Sequence, residues 1–129
     1  MTDTPRHDTA TGRPAVMIVD PRPDERQKLA DAVRHAGFEP VEAATPLEAI
    51  HLIEQDDTCV AAAAVRDRLT QTAGAELIRF LAEQQPSLRF VLVTDGVAEW
   101  TTRAGHRRVP VIGIDGELTG PVRTLVEKK

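Results

Sequence analysis

The residues with the most chemical character stand where apolar runs of the sequence end. Asp20 follows AVMIV, Arg66 and Asp67 follow CVAAAAV, Thr94 closes LRFVLVT, and Asp115 follows VPVIGI. An arginine presents a planar fork of donors that matches a carboxylate or a phosphate, so Arg66 can pair within the chain or take up an anion. No nucleophile has an identifiable base beside it, and the chain is not expected to be an enzyme. His35 and His51 lie in helical patterns with nothing at metal-ligand spacing, so neither is expected to bind a metal. The segment GIDGELTG is rich in turn residues but follows no dinucleotide or phosphate-loop pattern.

Those residues act together only if regular elements bring the ends of the runs side by side. AVMIVD (15 to 20) suits a strand buried on both faces. PDERQKLADAVRHAG follows as a helix, with Pro23 near its start and Gly37 as its stop. FEPVEAA (38 to 44) reads as an edge strand, because Pro40 cannot donate to a ladder. The next helix has the clearest start in the chain, with Thr45 and Glu48 as a capping box and Pro46 in the first helical position. CVAAAAV (59 to 65) is a third strand, GAELIRFLAEQQP (74 to 86) a helix, and LRFVLVTD (88 to 95) a fourth strand. A short helix is expected within VAEWTTRAG (97 to 105), then a fifth strand at VPVIGI (109 to 114) and a last helix at PVRTLVEKK.

Five strands alternating with five helices predict an α/β fold, a doubly wound five-stranded parallel sheet of flavodoxin-like (βα)5 form. In such sheets a ligand site forms outside the carboxyl ends of the strands. Asp20, Arg66, Asp67, Thr94 and Asp115 are therefore expected to converge on one crevice.

Composition narrows the class. The chain has 129 residues, enough for one domain, with residues 1 to 14 expected as a disordered polar tail and 15 to 129 as the domain. A net charge of −4 without a run of like charges argues against nucleic-acid binding. The start lacks the apolar core of a signal peptide, and no apolar run approaches the about 20 residues of a membrane helix. A cytoplasmic protein with no membrane contact is expected. The single cysteine, Cys59, fits a small buried hydrophobe in a reducing compartment.

In order and spacing, MIVDPRPDER, ATPLEAIHLI, AGAELIRFLAEQQP and FVLVTD resemble segments of the receiver domain of bacterial response regulators, across roughly residues 14 to 127. The resemblance implies a CheY-like strand order of 2-1-3-4-5 and a phosphorylation pocket at the strand ends. A working pocket of that family has two neighbouring acidic residues after the first strand, an acceptor Asp after the third, a Thr or Ser after the fourth and a Lys after the fifth. The acidic groups hold Mg²⁺, a hard ion that takes oxygen ligands, and Mg²⁺ and Lys neutralise the transferred phosphoryl group.

Matched onto this sequence, the set is incomplete. Asp20 fits the first acidic position, but Pro21 stands in the second. Thr94 fits the switch hydroxyl. No lysine lies between Lys28 and Lys128, and Asp115 is the nearest counterpart of the family's Lys. The chain also has no tyrosine, so the family's aromatic switch partner is absent. In the family the acceptor precedes a loop glycine by about eight residues, and that count from Gly74 gives Arg66. Asp67 serves only if the loop has lost a residue.

The expected function is thus a degenerate pseudo-receiver, independent of phosphorylation, that acts as a protein interaction module in bacterial signal transduction. In it Arg66 pairs with Asp20 and replaces the charge of Mg²⁺. Its partner would be another signalling protein, or a second copy in a homodimer, meeting the face from about residue 97 to 127 with Trp100 as a possible anchor. Two other readings stand beside it. One is an atypical receiver phosphorylated at Asp67 with Mg²⁺ as cofactor; the other is a sensor of small molecules or anions that uses Arg66.

Overall fold

The computed structural model describes residues 14–55, 60–69, 72–97, 99–105 and 107–127. Residues 1 to 13 of the tail expected at 1 to 14, together with Cys59 and the two terminal lysines, lie outside them. The chain runs β1 (Ala15–Val19), α1 (Pro23–His35), β2 (Glu39–Ala43), α2 (Pro46–Glu54), β3 (Val60–Arg66) and α3 (Gly74–Gln84). It continues through β4 (Arg89–Thr94), β5 (Glu99–Ala104), β6 (Arg107–Gly113) and α4 (Thr119–Glu127).

Local chemistry explains most of the boundaries. Pro23 opens α1, where its missing N–H leaves nothing unsatisfied, and Gly37 follows its end with φ +96°. At α2 the Thr45 hydroxyl accepts from the Glu48 N–H at 3.1 Å. The Glu48 carboxylate reaches back one residue further than in a standard capping box, to the Ala44 N–H at 2.7 Å.

One sheet carries the fold, in the order β2-β1-β3-β4-β6-β5. Neighbours from β2 to β6 pair in parallel, and β5 pairs with β6 antiparallel. The expected all-parallel five-stranded sheet is thus corrected to a mostly parallel sheet of six strands with four helices among the described residues. The change has one origin. Residues 99 to 104 form a strand instead of a helix, because Trp100, Thr101 and Thr102 favour a pleated surface and Gly105, at φ +66°, turns the chain straight back into β6.

Side chains alternate across the sheet and make two half-cores. Val16, Ile18, Ala62, Ala64, Val91, Val93 and Ile112 face Leu29 and Val33 of α1 and Val122 of α4. Met17, Val19, Ala63, Val65, Leu92 and Val111 face Ala49 and Ile53 of α2 and Leu77, Ile78 and Leu81 of α3. Each fully buried Val, Ile or Leu among them contributes about 1.5–3 kcal/mol of transfer free energy. Among the described residues no helix is long and apolar enough to cross a membrane.

The start of α3 is packed against the end of β3. The Gly74 N–H donates to the Asp67 carbonyl at 2.8 Å, and a Cβ added at Gly74 would lie 2.0 Å from the Arg66 carbonyl oxygen. Only glycine allows this approach. Gly74→Ala is therefore expected to lower stability by about 2 kcal/mol or more, read as a lower urea midpoint at unchanged slope. A midpoint equal to wild type would show that the β3–α3 junction yields without cost.

Candidate functional site

The strand alternation that builds the core also sorts the residues at its carboxyl edge. Val19 of β1 pairs with Val65 of β3, and Arg66 pairs with Val93 of β4, so Asp20, Arg66 and Asp95 continue neighbouring strands in one phase. Asp67 and Thr94 continue them in the other. These residues therefore stand side by side at the carboxyl edge of the central strands.

Arg66 is its centre. The residue is buried, with 4% of its surface exposed, as is Asp20 at 0%. The guanidinium of Arg66 does not pair with Asp20, which corrects the expected ion pair. Its Nη2 donates to Oδ1 of Asp95, and its Nε lies 3.4 Å from Oδ1 of Asp67. Asp20 and Asp95 both follow their strands in the phase of Arg66, and Asp20 already has a partner. Oδ1 of Asp20 accepts from the Arg22 N–H at 2.9 Å and lies 3.6 Å from the Arg22 Nε. The Asp20 carbonyl takes a further bond from Arg26 at 2.9 Å.

A second layer ties the strand ends together. Arg22 Nη1 reaches the same Oδ1 of Asp95 at 3.3 Å, so Asp95 lies between two guanidiniums. The Thr94 hydroxyl donates to Oδ2 of Asp67 at 2.8 Å. Asp115 stands in the turn after β6, where Lys28 of α1 meets its Oδ1 at 3.3 Å. Pro21 sits in the β1–α1 connection between Asp20 and Arg22 and offers no ligand atom on its side chain. Among the described residues no group of three or more His, Cys, Asp or Glu is placed to hold a metal ion.

Several polar atoms here are buried without a hydrogen-bond partner: Oδ2 of Asp20, Oδ1 of Asp67, Nη1 of Arg66, and Nε and Nη2 of Arg22. Each is a charged group, so the cost of leaving it unpaired is offset only by the charges around it. Trp100 does not belong to this site. It lies on β5 and not on a helix, and it is 55% exposed.

Sequence reasoning located Asp20, Arg66, Asp67, Thr94 and Asp115 near one edge but missed Asp95, Arg22 and Lys28. Asp95 had a signal. It lies two residues beyond the buried Val93, which by strand alternation puts it on the side of Arg66. Arg22 and Lys28 reach the edge from a loop and a helix, where spacing alone says little about reach.

The comparisons fit this geometry at the level of the fold. No family model and no curated protein matches the sequence. Solved structures do match. A CheY-like response regulator receiver domain protein from Methanospirillum hungatei superposes with a TM-score of 0.59 at 22% identity, over 67% of this chain and 67% of that one. The response regulator protein TrrA from Thermotoga maritima, solved in complex with Mg²⁺ and BeF, gives 0.56 at 17% identity over 63% and 69%. A sensor protein from Polaromonas gives 0.58 at 24% identity over 66% and 68%. The fold is that of a CheY-like receiver, with a strand where the sequence reading expected its fourth helix.

The Arg66 and Arg22 guanidiniums beside Asp95 hold its carboxyl below the usual carboxylate range, with the Arg66 hydrogen bond as the largest cause. Folding thus lowers this pKa, so the contribution is complete above the ordinary range and is lost as pH falls through the lowered value. Asp95→Asn is expected to be less stable than wild type at pH 7, with the gap closing below about pH 4. Urea midpoints of both proteins from pH 7 to pH 3 check this. A gap that stays constant would show that the carboxylate charge is not what Arg66 uses.

Proposed function

We propose that the chain is a pseudo-receiver, a module that keeps the receiver fold and works in bacterial signal transduction through protein contacts, without phosphorylation. The observation that carries this reading is the buried Arg66 at the end of β3, the position that the Gly74 spacing gives to the acceptor. A guanidinium there cannot accept a phosphoryl group. It also puts a cation where a divalent metal would need an anionic ligand.

The residues present do not fit Mg²⁺. Asp20 has one unpartnered carboxylate oxygen, Pro21 supplies none, and Arg66 and Arg22 already neutralise Asp95. Lys28 is bound to Asp115 from α1, so the charge after β6 is an ion pair and not a free cation.

One observation favours the receiver phosphorylated at Asp67, since the Thr94 hydroxyl contacts that carboxylate as a switch residue would. Against it stands Arg66, which keeps Asp67 paired at 3.4 Å. A small-anion sensor has less support, because Asp67 and Asp95 already flank the guanidinium with the charge of any incoming anion.

Incubation with acetyl phosphate and Mg²⁺, followed by intact-mass measurement, separates these readings. Wild type is expected to stay at its unmodified mass. An adduct of one phosphoryl group on wild type, absent from Asp67→Asn, overturns the proposal and returns the chain to phosphotransfer.

A further inference from the structure

The ladder between β4 and β6 covers only half of the two strands. β4 starts at Arg89 and β6 at Arg107, yet the first pair between them is Leu92–Val111. Pro110 accounts for the gap. The Ile114 N–H donates to the Thr94 carbonyl at 2.8 Å, so the even-numbered residues of β6 are those whose backbone faces β4. Two such steps back along the ladder stands Pro110, which has no N–H to give the Phe90 carbonyl, and the pairing stops there.

A cavity of about 950 Å³ lies between α4 and the parted strands, within the roughly 300–1,000 Å³ of small-molecule sites. Val91, Pro110 and Ile112 of the sheet and Pro121 and Leu125 of α4 give it apolar walls. Arg89 and Arg108 line it at the start of the strands, both in the phase that faces α4. Arg103 of β5, directly opposite Arg108, extends the row, so like charges lie side by side. No carboxylate among the described residues neutralises them. Arg89 donates to the Leu125 carbonyl at 3.2 Å, and the guanidiniums of Arg103 and Arg108 have no partner among the described residues. Arg107 also lines the cavity, but its guanidinium is bonded to the Leu88 and Pro86 carbonyls and lies 5.5 Å from the centre of the Phe90 ring. The carboxylate of Glu117 lies past the far end of β6, where its Oε2 accepts from the Gly120 N–H at 2.7 Å.

We propose that this cavity binds a small amphipathic anion, a molecule with an apolar body and one oxyanion head. The body lies along Val91, Pro110 and Ile112 against α4, and its burial supplies the hydrophobic gain. The head takes the forked donors of Arg108 together with the charge of Arg89, and it relieves the repulsion within the row of guanidiniums. Glu117 at the far end sets the direction, since an anion placed there meets like charge. A head without a body would leave the apolar walls wet, and a neutral molecule would leave the guanidiniums unmatched. The cationic end of the cavity lies at the start of β4 and β6, away from Arg66 at the carboxyl edge, so the inference does not depend on whether the strand-end pocket is phosphorylated.

Two fluorescent probes that differ by one sulfonate test this on the full chain: anilinonaphthalene sulfonate, whose sulfonate stands for the oxyanion head, and neutral phenylnaphthylamine. Wild type should bind one sulfonate probe per chain, about tenfold more tightly than the neutral one. Arg108→Gln should weaken the sulfonate probe about fivefold and leave the neutral probe unchanged. Because that substitution removes a like-charged pair, its urea midpoint should equal or exceed that of wild type, so lost binding cannot be laid to misfolding. Pro110→Val restores an N–H toward β4 and should weaken both probes. Decanoate or decyl phosphate should displace the sulfonate probe, the better of the two naming the head, while acetate and inorganic phosphate should not. Equal binding of the two probes, or sulfonate binding that ignores both substitutions, overturns the proposal. So does displacement by neither amphiphile, which would leave the row of arginines to an acidic protein surface.

Discussion

A guanidinium buried at the end of a central strand must be matched by carboxylates, and much of the strand-end structure follows from that demand. Desolvating a cation costs several kcal/mol unless its partners are close and well oriented. Arg66 meets this cost with Asp95 and Asp67, which come from β4 and from its own strand end. Asp95 then draws in Arg22 from the β1–α1 connection, and Arg22 also holds Asp20. The network links three neighbouring strand ends through side chains alone. It does so on the same edge where a doubly wound sheet offers its ligand crevice.

The arrangement also bears on motion. A switch hydroxyl responds by moving toward a new charge, but the Thr94 hydroxyl already donates to Asp67. Asp67 in turn faces Arg66, so a shift of Thr94 would leave a carboxylate oxygen short of a donor beside a fixed cation. Breaking such a bond leaves a charged oxygen without its donor, which is costly.

The sequence was most readable where a single local rule decided the outcome. Pro23, Thr45, Pro46 and Gly37 set helix ends, and apolar runs of β1, β3 and β4 set the central strands. Pro40 correctly marked β2 as an edge. The short helix expected within 97 to 105 is replaced by a strand, because Trp100, Thr101 and Thr102 favour a pleated surface and Gly105 follows with a tight turn. The place of Arg66 at the end of β3 was legible from the apolar run before it. Its partner was not, because choosing between Asp20 and Asp95 requires knowing that Arg22 has already engaged Asp20.

Replacing a helix by a strand changes what the far side of the molecule can do. A helix laid over a sheet satisfies its own backbone and presents only side chains. An added edge strand leaves alternate N–H and C=O groups unpaired, and these bind any strand that arrives in register. Specificity must then come from side chains along six residues.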